Sequence, residues 1–151
     1  MQRLVAASSL LLLMGAAPAG NPNARITSLE VKFFDPETAS FGPDVLKRGL
    51  YLGWNTFLAE GNGGYGRGDA LVLVNVARGG DHFEIAGPLT ITALTKNKLL
   101  ARRSFTRIDV SKGAAARALY LQDIGCAGKI EVRAKLGDQI EIGQLDMECG
   151  E

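Results

Sequence analysis

At 151 residues, the chain is long enough for one domain of ordinary size. Its 46% hydrophobic and 22% charged content excludes a disordered, collagenous or coiled-coil chain. With 17 Lys+Arg against 16 Asp+Glu, it is not a generally basic nucleic-acid binder, and one His and two Cys leave little material for metal or nucleophile chemistry.

Residues 1–19 have the pattern of a cleavable signal peptide. Arg3 gives a positive start, Leu4 to Ala17 are mostly apolar, and Ala17-Pro18-Ala19 is a small-x-small cleavage site. The apolar run is shorter than the roughly 20 residues needed to span a bilayer, so no transmembrane anchor is expected. The expected product is a secreted or periplasmic domain of residues 20–151, in which acids and bases balance.

Along that domain the pattern is one of short strands. Ile26 to Phe34 alternates, with Leu29, Val31 and Phe33 on one side. Residues 35–48 are turn-rich and read as a long connection. Leu50 to Leu58 fits either a helix face or alternation; Gly49 and Gly53 favour a strand. Ala70 to Ala77 is a near-continuous apolar run suited to a central strand, and Phe83 to Ala86 predicts a short one. Leu89 to Leu94 and Leu99 to Thr106 flank Thr95-Lys96-Asn97-Lys98 as a hairpin. Ala115 to Leu121 reads as a helical turn or a further strand. No internal repeat is evident.

The last segment predicts a hairpin around Gly137-Asp138. Folding about that turn pairs positions whose numbers add to about 275, as those of Cys126 and Cys149 do. In an exported chain these two cysteines are expected to form one structural disulfide. Ile130, Val132, Ala134 and Leu136 share a face, but Ile140 and Ile142 differ in parity from Leu145 and Met147. A three-residue turn with a bulge near Gly143 would bring all of them onto one apolar face, and is the register expected here. About seven to nine short strands with regular turns predict an all-β fold, an antiparallel immunoglobulin-like β-sandwich.

Several motifs lack their chemical context. Gly61 to Gly66 matches G-x-G-x-x-G but leads into a strand, not the helix that dinucleotide binding needs. His82 has no second His or Cys nearby, so no metal is expected. No serine lies in a nucleophile elbow, and no cofactor is indicated. The Gly-rich loop carries Tyr65, Arg67 and Asp69, the last two in an Arg-Gly-Asp tripeptide, and forms a possible partner-binding loop.

Charge is more informative. Residues 96–117 hold seven bases (Lys96, Lys98, Arg102, Arg103, Arg107, Lys112, Arg117) against Asp109 alone. Residues 138–151 hold five acids and no base. Either the two blocks lie on adjacent strands and pair, which is the expectation here, or Lys96, Lys98, Arg102, Arg103 and Arg107 form a face for an anionic ligand. The composition points to an exported, non-catalytic binding or assembly module of the cell envelope or extracellular space. A protein or an anionic glycan or envelope component would be its partner. Two alternatives are an inhibitor using loop 35–48 or 60–69, and a small hydrolase whose carboxylates converge in space.

Overall fold

A computed structural model describes residues 24–46, 68–79, 82–96 and 98–147. Among them every regular element is a strand: β1 (Arg25–Asp35), β2 (Ser40–Phe41), β3 (Ala70–Ala77), β4 (His82–Thr95), β5 (Lys98–Ser111), β6 (Ala114–Leu121), β7 (Gly128–Leu136) and β8 (Gln139–Met147). They form one antiparallel sheet in the order β2-β1-β3-β6-β5-β4-β7-β8, curled into a half-barrel so that β8 comes back against β1. No helix of the described residues is long and apolar enough to cross a membrane. The expected signal peptide at 1–19, the strand at 50–58, Tyr65, Arg67 and Cys149 lie outside the described residues.

The all-β antiparallel class is as the sequence predicts, but the sheet is one curled layer in place of two stacked immunoglobulin-like sheets. The cause is local. Lys112 and Gly113 adopt φ of 54° and 77°, the left-handed pair of a tight two-residue hairpin turn. That turn sets Ser111 against Ala114 and joins the two four-strand halves through a ladder.

The core fills the concave face. β3 alternates buried and half-buried residues between β1 and β6, the central position that its apolar run predicts. On that face Ala70 lies between Phe33 and Leu121, a small residue between two large ones. A bulge at Thr27 shifts the β1 register, so Ile26 joins Val31 and Phe33 inside despite its opposite parity. In the other half, the two short strands expected at 83–86 and 89–94 are a single strand, β4. A bulge at Gly87-Pro88 absorbs the break and keeps Ile85, Leu89, Ile91 and Ala93 buried. Ala115 to Leu121 is strand, held in unbroken register against β3.

Two further expectations are corrected. The β7–β8 ladder runs without a shift from Leu136↔Gln139 to Gly128↔Met147, so the turn has two residues and Gly143 carries no bulge. Ile140 and Ile142 therefore lie on the outer face, about half exposed at 49% and 51%, while Leu145 and Met147 are buried. Gly143 instead makes room for a neighbour: a Cβ there would lie 2.6 Å from Leu46 Cδ1. The second correction concerns residues 35–48, of which 35–46 are described. This segment turns at 36–39 and returns along β1. Gly42 and Val45 donate N–H groups to the Phe33 and Val31 carbonyls at 2.9 Å. Asp44 Oδ1 accepts from the N–H groups of Val31 and Leu46, so this rim of β1 is covered.

Candidate functional site

Beyond the Ser111↔Ala114 pair, β5 and β6 separate. Among the described residues, β5 before Ser111 has its ladder with β4, and β6 after Ala114 has its ladder with β3. The opening exposes part of the concave face, and three side chains gather there. Arg103 lies opposite Ile91, Phe105 opposite Leu89, and Arg117 opposite Val74, each across from a buried residue and so on the inner side. The Arg103 guanidinium carbon is 4.8 Å from the centre of the Phe105 ring, and that of Arg117 is 5.8 Å away. Phe105 is thus a half-buried apolar platform close to two cations, at distances typical of cation–π contact.

Among the described residues, neither guanidinium meets a carboxylate. Arg103 Nη1 donates to the Ala118 carbonyl across the opening (3.2 Å), and Arg117 Nη1 donates to its neighbour's carbonyl at Ala116 (2.8 Å). Both side chains keep further donors for a planar acceptor such as a carboxylate or phosphate.

The other predicted residues fall in different places. Arg107 is bound to Glu84 by two short bonds, Nε to Oε1 at 2.6 Å and Nη2 to Oε2 at 2.7 Å. That pair holds the Glu84 carboxyl below its ordinary value. Arg102 lies opposite Thr92 on the outer face, away from Arg103. Lys96 occupies the β4–β5 turn with φ 45°, and Lys98 begins β5; both are exposed. Among the described residues, Arg107 is the one base of residues 96–117 that forms an ion pair. The expected pairing of the basic and acidic blocks does not occur, because β4 and β7 lie between β5 and β8. The sequence alone does not single out Phe105 or Arg117 for an anionic face. Phe105 was within reach, two residues from Arg103 on a strand; Arg117 comes from β6, and its approach to Phe105 depends on the curl of the sheet.

Asp69 is built into the fold. Its Oδ2 accepts the Tyr120 hydroxyl at 2.6 Å, and its Oδ1 accepts the Asp123 N–H at 3.0 Å. The bond from Tyr120, then that from Asp123, holds the Asp69 carboxyl below 3.8. The same contact with Asp69, followed by desolvation, raises the Tyr120 phenol above 10.0. A depressed carboxyl contributes stability above its unfolded value, lost as pH falls through the folded one. A raised phenol contributes stability below its unfolded value, lost as pH rises through the folded one. The Asp69→Asn variant is therefore expected to bring the Tyr120 titration, followed by NMR, down toward the ordinary tyrosine value. It should also lose less stability than the parent below about pH 4. An unchanged Tyr120 titration would show that the contact is not formed in solution.

Among the described residues, a shallow cleft of about 360 Å³ along the β1–β8 seam is lined by Leu29, Leu46, Ile142, Gly143 and Gln144, with Glu141 as its ionisable residue. Compared with models of known protein families and with curated proteins, the chain matches none.

Proposed function

We propose that this chain is an exported, non-catalytic binding module that takes an anionic group of a partner at the β5–β6 opening. The observation that carries this reading is the Arg103–Phe105–Arg117 cluster, in which two guanidiniums lie close to one apolar ring and, among the described residues, pair with no carboxylate. A forked guanidinium matches a planar anion in two bonds, and the ring supplies a surface that excludes water beside it. Export rests on the signal-peptide pattern of residues 1–19. A Cys126–Cys149 disulfide belongs to the same reading. It is supported by the β7–β8 register, whose pairs all add to 275, so that two residues beyond Gly128↔Met147 position 126 corresponds to position 149.

Titration with polyglutamate, followed by calorimetry at rising salt, tests the binding role. Binding is expected at low salt and should weaken steeply as salt is raised. The double variant Arg103→Gln/Arg117→Gln is expected to bind at least tenfold more weakly, on the strength of charge-assisted hydrogen bonds. Lys96→Gln should bind nearly as the parent does. Binding that ignores salt, or that survives the double substitution, would overturn the reading.

A further inference from the structure

We infer that the partner is an extended acidic peptide, which adds as a strand to the open edge of β6; this rests on the opening being the anion-binding site. The strongest pointer is the way the edge is satisfied now. Ala116 and Ala118 are two residues apart on one strand, so their carbonyls point to the same side. Both accept hydrogen bonds from arginine side chains, on the side where a neighbouring strand would otherwise supply N–H groups. The arginines stand in for a missing ladder partner, and their exposure makes them displaceable: Arg103 lies at the surface and Arg117 is half-buried.

An incoming peptide strand would give the edge its N–H and C=O groups in matching register. The displaced guanidiniums would then be free to pair with its carboxylates. Peptides that add to a sheet edge draw affinity from the main chain and specificity from alternate side chains. Phe105 offers the apolar contact for such alternate positions. A glycan could meet the two arginines, but it has no alternating N–H and C=O groups to continue a ladder. The charge around the opening selects the sign of the peptide: Arg103 and Arg117 line it, and Asp109 is the one acid in residues 96–117.

The test uses the full-length exported protein and a synthetic peptide of alternating Val and Glu. Its controls are the same peptide with every second amide N-methylated, an alternating Val and Lys peptide, and polyacrylate, a polyanion without amides. The acidic peptide is expected to bind and to slow hydrogen exchange at the Ala116 and Ala118 amides. The N-methylated form should bind at least tenfold more weakly, and the basic peptide should not bind. Ala118→Pro removes an N–H that points away from β3, a position where an edge strand tolerates proline. That variant is expected to lose the acidic peptide at least tenfold while keeping polyacrylate, which has carboxylates but no amide backbone. Equal binding of the methylated and unmethylated peptides, with polyacrylate retained, would overturn strand addition and leave the anion-binding role standing. Loss of every anionic probe from the parent protein would overturn both.

Discussion

Replacing Gly68 by valine is expected to cost about 3–5 kcal/mol, adding the strain of a left-handed backbone to that of a steric clash. Gly68 has φ 79°, and a Cβ on it would run into the backbone nitrogen of Gly125. The approach cannot relax cheaply, because the Gly68 carbonyl accepts the Ile124 N–H at 2.7 Å and so fixes the two segments together. Beside it, the Asp69 carbonyl accepts from Phe34, which ties the same point to β1. A β-branched side chain is the least compatible with positive φ. In a domain of this size the melting temperature should fall on the order of 10–15 °C. Gly125→Ala is the control: a Cβ there would meet only Gly68 Cα, at 3.9 Å, an ordinary contact. Melting curves in which the two variants match would show that the close approach does not exist in solution.

The proposed Cys126–Cys149 bridge carries the second large effect. Closing a loop of this length contributes on the order of 3 kcal/mol by restricting the unfolded chain. Cys126→Ser should therefore lower the melting temperature by roughly 10 °C. Reductant should lower that of the parent by a similar amount and leave the variant unchanged. Intact mass should show the parent two hydrogens lighter than its reduced form. Free thiols in the folded, unreduced protein would remove the bridge.

The strands were largely legible, since alternation and turn residues are local signals. Ala70 to Ala77 could be placed at the centre from its apolar run, and Thr95 to Lys98 could be placed in a turn. Ile140 and Ile142 show where that reasoning fails. Treating every apolar residue as interior required a bulge at Gly143. In the fold, the two-residue turn at Gly137-Asp138 fixes the register and leaves both isoleucines outside. Apolar residues are common on surfaces, so burial is a poor guide to register where a tight turn already sets it. The layer arrangement was hidden for a different reason. An alternating strand looks the same in a sandwich and in a curled sheet, and the choice here depends on a single pair, Ser111 and Ala114. The site was half legible. The basic block was visible, but only the three-dimensional path separates Arg107, neutralised by Glu84, from Arg103 and Arg117, which lie close to Phe105.

The seam between β1 and β8 also has a consequence for how the chain folds. The Gln139 amide receives the Ile26 N–H on Oε1 at 3.0 Å and donates from Nε2 to the Ala24 carbonyl at 2.8 Å, contacts 113 and 115 positions apart in sequence. One side chain thereby takes the place of a peptide unit between the first and last strands. Closure of the curled sheet must await the last strand to be made, so the half-barrel forms its seam late and its folding is dominated by long-range contacts. Until Gln139 arrives, the start of β1 lacks its clasp.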